Sequence, residues 1–431
     1  MLKDKGDEPG KGQTAATAHS FLARSLDFLG MERNVLIMIA ALMMQALGAG
    51  LWEPFRSKVL EVLGASGKQI GIIGTIGVLM TAVAPYLGGV LSDRLGRGRQ
   101  LILACAMAVA GYVIYAAAPV WWVFIPGAVL LATADSFRFM GSLALIGDRL
   151  PQNRRAIGIA MQNVLVRSPR AVGHVLGGQL IAWLGVVFAA ASAGLLWGFR
   201  AAVVITIFLT LVGIFVQRRY YRLPPPGGDK GFPHALAAFR AMSGELKRFL
   251  LADCLIRFGN RMFLMFVVLY AMNEMGVGPG EFGLLSGLMV ATSVSMYIPA
   301  AKLSDRGGRR GRRPFIAATF FFFAAFPLTL VWAPSAAWLI GVFVIGGLRE
   351  FGEPARKALI IDLIPPARRG QQMGTYYMLR GVSTLAAPLI GGTLWDWNPQ
   401  TPFLVGGLIT AAGLAWFLLE SVLFHGKAES V

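Results

Sequence analysis

Gly89-Val90-Leu91-Ser92-Asp93-Arg94-Leu95-Gly96-Arg97-Gly98-Arg99 joins two long apolar runs through a very short turn. Each part has a physical task. Gly89 lets a neighbouring helix approach closely. Asp93 puts a carboxylate at a helix end, where it can face the positive N-terminus of another helix. Gly96 permits a sharp reversal, and Arg94, Arg97 and Arg99 hold the turn on the side of a membrane where basic residues collect. A second copy, Ala301-Lys302-Leu303-Ser304-Asp305-Arg306-Gly307-Gly308-Arg309-Arg310, again separates two apolar runs.

Working outward, the 431 residues are 56% hydrophobic and only 14% charged. Soluble domains carry about 25% charged residues, so the chain reads as an all-α polytopic membrane protein. The net charge of +18 sits in short loops between apolar runs, not in a basic stripe interleaved with aromatics. That distribution argues for membrane anchoring and against nucleic acid as a partner. Cys105 and Cys254 lie inside apolar runs and read as packing residues, and four scattered histidines offer no metal-ligand spacing. No cofactor is expected. Residues 1–18 lack the apolar segment of a cleavable signal.

About twelve runs reach the roughly 20 residues needed to cross a bilayer: 34–57, 70–91, 100–118, 121–146, 156–184, 197–217, 249–273, 281–304, 313–332, 335–361, 371–395 and 401–424. They divide the chain into a segment 1–33 containing an amphipathic stretch, a six-span half 34–217, a linker 218–248, a second half 249–424 and a tail 425–431. Lys3, Lys5, Lys11, Arg24 and Arg33, the linker's Arg218, Arg219 and Arg222, and the loop at 302–313 load one side with basic charge. The other side shows Arg56, Lys58 and Lys68. A cell-membrane protein with both termini cytoplasmic follows. The halves repeat: Asp93 and Asp305, like Gly71 and Gly283, are 212 residues apart, while Asp148 and Asp362, like Gly177-Gly178 and Gly391-Gly392, are 214 apart.

The duplicated loop and parallel repeat closely resemble the major facilitator superfamily, secondary transporters whose two pseudo-symmetric six-helix halves rock about a midplane site. The resemblance implies a gating role for Gly89, Asp93, Arg94, Gly96, Arg97, Asp305, Arg306, Gly308 and Arg309. It also implies that Asp148 and Asp362 join the loop arginines in a latch. The overall pattern is similar to the drug:proton antiporter branch. Where that branch often carries Gly-Pro-x-x-Gly-Gly in the fifth helix, this chain has Gly173-His174-Val175-Leu176-Gly177-Gly178. Pro169, five residues earlier, can kink the helix instead.

Charges inside the runs mark the site, since each costs a few kcal/mol at mid-bilayer unless paired or wetted. Arg138, Arg167, Arg170, Arg257, Arg261, Arg349 and Arg380 are candidate substrate contacts, with Arg356 reinforcing the basic side. Asp135, Glu350 and Glu353 are candidate proton carriers, because burial and charged neighbours can tune a carboxylate. Asp135/Arg138, Asp253/Arg257, Arg349/Glu353 and Glu353/Lys357 have the three- or four-residue spacing of same-helix ion pairs, so a purely structural reading stays open for each. Arg167, Arg170 and Arg380 have no acid at that spacing. Glu53 reads equally as interface or gate residue, His174 as packed, and Phe320-Phe321-Phe322-Phe323 as apolar packing.

No Gly-x-x-x-x-Gly-Lys-Ser/Thr loop is present, so an ion or solute gradient must supply the energy. The expected function is secondary transport of a small organic solute, proton-coupled export being favoured by the resemblance and an anionic or amphiphilic substrate by the arginine surplus. Proton-coupled uptake or facilitated passage of an organic anion is the alternative. A sensor or enzyme is the remote one, since no nucleophile–base constellation is found. A monomer is expected.

Overall fold

The computed structural model describes residues 33–95, 97–149, 152–188, 191–221, 235–305, 308–365 and 369–425. At the helix ends 85–97, 146–161, 305–310 and 369–371 it describes chiefly the backbone. The amphipathic stretch before residue 33, Gly96 and Arg306 lie outside the described residues, as do the side chains of Asp93, Arg94, Arg97, Asp148, Asp305 and Arg309.

The described residues are helical, without strands. In chain order they form α1 (Arg33–Trp52), continued by a 3₁₀ turn into α2 (Arg56–Val62), α3 (Gly67–Leu95), α4 (Arg97–Ala117), α5 (Phe124–Arg149), α6 (Gln152–Val187) and α7 (Ala191–Tyr220). After a short α8 (Ala235–Arg240) come α9 (Gly244–Phe263), which runs on through irregular turns to Glu274, α10 (Pro279–Asp305) and α11 (Gly308–Val331). The chain ends with α12 (Leu339–Leu348), α13 (Glu353–Asp362), α14 (Arg369–Ser383), α15 (Ala387–Trp397) and α16 (Thr401–His425). Among the described residues, ten segments are long and apolar enough to cross a membrane.

The runs 335–361 and 371–395, expected to be continuous, are each broken near the middle: α12 stops before Arg349 and restarts at Glu353, and α14 stops at Ser383 before α15. At the first break Gly352 N–H donates to Thr319 Oγ1 at 2.6 Å. This satisfies a backbone group released from the helix, as an apolar environment requires.

Two seams join the halves, α6 against α10 and α3 against α15. In the repeat these seams are each other's counterparts, and glycines line both. A methyl carbon on Gly178 would lie 2.7 Å from Gly283 Cα, and one on Gly392 would lie 2.2 Å from Gly67 O. Their neighbours Gly177 and Gly391 press against Leu51 and Met262 of their own half's first helix. Backbones therefore touch where side chains would hold them apart.

At the end opposite the basic loops one apolar cluster runs through both halves, with Phe55 edge-on to Phe282 at 5.7 Å. Polar contacts reinforce it. Asp396 accepts from Gly67 N–H at 2.6 Å and Lys68 N–H at 2.8 Å, capping α3 from the other half. Lys58 and Glu61 both bond Asn273. Towards the basic end each half has an apolar cluster of its own. Among the described residues, the end opposite the basic loops is shut.

Candidate binding cavity between the halves

A chamber of about 510 Å³ opens among α1, α3, α4, α5, α6 and the last turn of α9 with the turn that follows it. Trp52, Tyr112 and Tyr115 form an aromatic wall, Trp52 meeting the two tyrosines edge-on at 5.8 and 5.5 Å. Glu53, Asp135, Arg138 and Arg170 line it from the first half and Arg261 from the second. Asp135 pairs with Arg138, which also bonds Gln45. The open face of the chamber leaves Asp135 62% exposed. Arg170 approaches Glu53 at 3.8 Å, so Glu53 lies on the chamber wall.

Arg167 crosses between the halves to Glu350 at 3.2 Å and to Ser293 at 3.2 Å. Among the described residues this is the one ion pair that joins them. Glu350 is free to reach it because it lies in the break after α12, where the chain departs from helical geometry.

A second cluster fills the other half. Arg356, 1% exposed, donates to Asp253 Oδ2 at 2.6 Å and to both oxygens of Glu353 at 2.7 and 2.8 Å. Arg257 reaches Glu353 at 3.1 Å and Asp253 at 3.7 Å. Arg380 reaches Asp253 at 3.4 Å, and Tyr376 donates to it at 2.8 Å. Lys357 lies 3.7 Å from Glu353. Such a network pairs charges that would be very costly alone in this environment, although Asp253 Oδ1 and Arg257 Nε have no hydrogen bond among the described residues.

The same-helix spacing failed at Arg349 and Glu353. Because the helix is interrupted between them, Arg349 turns to Asn260 Oδ1 at 2.7 Å and Gly346 O at 2.8 Å. Its guanidinium lies 4.2 Å from the Phe326 ring centre, a cation–π contact. Phe323 takes Arg257 at 4.9 Å, so part of the phenylalanine run holds cations as well as packing. Arg356, expected to reinforce the basic side, is instead the centre of a buried network. Asp253, Tyr376 and Asn260 were missed as site residues; only the four-residue spacing of Asp253 and Arg257 hinted at the first. Arg167, Arg170 and Arg380 have their acids elsewhere in the chain, in the break after α12, in the 3₁₀ turn after α1 and on α9. Asp362 pairs with Arg312 inside its own half. His174 is buried at the α6–α10 seam.

Two six-span halves, shut at one end around a chamber rich in charge, define a membrane carrier. The sequence model of the Major Facilitator Superfamily matches residues 28–252 and again 249–429, and the chain belongs to that family of multi-pass membrane transporters. Multidrug resistance protein MdtG of Serratia proteamaculans is 23% identical over 420 residues, 93% of this chain and 97% of the relative. A probable 4-methylmuconolactone transporter of Cupriavidus pinatubonensis is 25% identical over 377 residues, 82% of this chain and 78% of the relative. Among solved structures, a bacterial homologue of the human lysosomal transporter Spinster, inward-facing and unoccupied, superposes with a TM-score of 0.70 at 16% identity. That match covers 91% of this chain and 97% of the other.

Proposed function

We propose that this carrier moves a small organic solute bearing an anionic group by alternating access, coupled to protons, in the direction of export. One observation supports the substrate class. Nine cations of the chamber and its adjoining cluster (Arg138, Arg167, Arg170, Arg257, Arg261, Arg349, Arg356, Lys357, Arg380) stand against five carboxylates (Glu53, Asp135, Asp253, Glu350, Glu353), and Arg261 and Arg349 pair with none of them. Guanidinium groups do not lose their protons under physiological conditions, and their fork matches carboxylate or phosphate.

Glu350 is the favoured proton carrier, for protonating it removes the ion pair between the halves. Asp135, facing the open chamber, is second. Glu353 is third, being committed as counter-charge to Arg257, Arg356 and Lys357. The relative named as a multidrug resistance protein favours export. The carrier belongs in the cell membrane as a monomer, with both termini in the cytoplasm.

The test uses proteoliposomes with a proton gradient imposed in either direction, offered an anionic and a cationic amphiphile. The anion should accumulate, and Arg167→Gln and Arg380→Gln should reduce its transport. Efficient transport of the cation, with anion handling unchanged in both variants, would refute the reading.

A further inference from the structure

Arg261 stands apart from the other charges. It makes no ion pair, hydrogen bond or ring contact with any described residue, although it lines the chamber from the last turn of α9. The charged side chains that act on it are positive, Arg257 one turn earlier and Arg380 on α14. Both of those are drawn to Asp253, and Arg257 also to Glu353. Asp253 and Glu353 are therefore already shared among three cations each, and Arg261 forms an ion pair with neither.

A permanent charge placed this way at membrane depth requires water or an anion beside it. The rest of the chamber narrows the kind of anion. Trp52, Tyr112 and Tyr115 present a wall fixed by edge-on ring contacts. Ile73, Leu131 and Met265 extend the apolar surface.

We infer that Arg261 is the specificity-determining anchor of this chamber, receiving the carboxylate of a small aromatic organic acid whose ring lies against Trp52, Tyr112 and Tyr115. This rests on the proposed anionic substrate and goes further, naming the residue and the body of the molecule. It also gives the ligand a mechanical role. Arg170 lines the chamber from the first half and Arg261 from the second, so a carboxylate held by both ties the halves together through the substrate.

The probes are 1-naphthoate and its neutral amide, 1-naphthamide, titrated calorimetrically into the purified full-length chain. Wild type should bind the acid at least about tenfold more tightly than the amide, the scale of a charge-assisted hydrogen bond. Arg261→Gln should weaken the acid by about tenfold and leave the amide unchanged. Arg261→Lys, which keeps the charge and serves if the glutamine variant does not fold, should lose part of the affinity because the two-pronged contact is gone. Equal binding of 1-naphthoate by wild type and both variants would overturn the assignment. So would a parallel loss of both probes, or no binding of the acid to wild type. Transport of another anion with these outcomes would leave the broader reading standing; transport confined to cations would remove both.

Discussion

Replacing Arg356 by methionine should destabilise the carrier strongly, and the geometry sets the scale. Methionine approximates the length of the aliphatic stem but carries no charge. The substitution deletes three charge-assisted hydrogen bonds, at 2.6 Å to Asp253 and at 2.7 and 2.8 Å to Glu353, from a residue 1% exposed. Breaking one side of a buried ion pair costs about 3–5 kcal/mol. Asp253 keeps Tyr376 and Arg380, and Glu353 keeps Arg257 and Lys357. The remaining partners place the expectation near the lower end, about 3 kcal/mol. At roughly 2–4 °C per kcal/mol, the thermal midpoint of the purified protein in detergent should fall by about 6–12 °C. Adding Glu353→Gln removes one of the stranded carboxylates, so the double variant should be more stable than the sum of the single effects by about 1 kcal/mol or more. An unchanged midpoint in Arg356→Met, or strict additivity in the double variant, would refute the view of this cluster as one interdependent unit.

Gly178→Val should slow transport at least about tenfold with a smaller effect on unfolding, because its Cβ would lie 2.7 Å from Gly283 Cα on the opposite half. Gly341→Ala, where nothing lies within 4 Å, should be neutral in the same vesicle assay. Asp396→Ala removes the cap on α3 and should cost the closed end about 0.5–2 kcal/mol. Thiol labelling of a cysteine placed in the chamber, with reagent added from that end, should speed up; an unchanged rate would count against the cap as a fastening.

The spans and the repeat were legible because hydrophobic length and glycine spacing are local properties. Gly177-Gly178 and Gly391-Gly392 announced themselves by offset alone, and the second glycine of each pair does meet the opposite half at a seam. Asp135–Arg138 and Glu353–Lys357 were legible for a similar reason, as their spacing places both members on one helical face. Arg167–Glu350, Arg170–Glu53 and Arg380–Asp253 were not, since sequence separation carries no information about how two helices are rotated against each other. The break at 349–352 was hidden by the apolar residues preceding it. Once the helix stops there, the angular relation of Arg349 to Glu353 is lost, and Arg356 on the restarted helix points into the cluster.

The paired glycines divide their contacts in a way that bears on how the halves can turn. Gly177 and Gly391 grip the first helix of their own half, while Gly178 and Gly392 meet the opposite half. Each seam is thus a smooth journal mounted on a rigid shaft. Rotation at such a surface moves backbone over backbone and asks no large side chain to change rotamer at the bearing itself. Because the two seams are counterparts under the repeat, a tilt that opens one end loads both alike, and the pair behaves as a single axle. Wear at one bearing, by any side chain larger than hydrogen, should therefore stiffen the whole stroke rather than bias it towards one end.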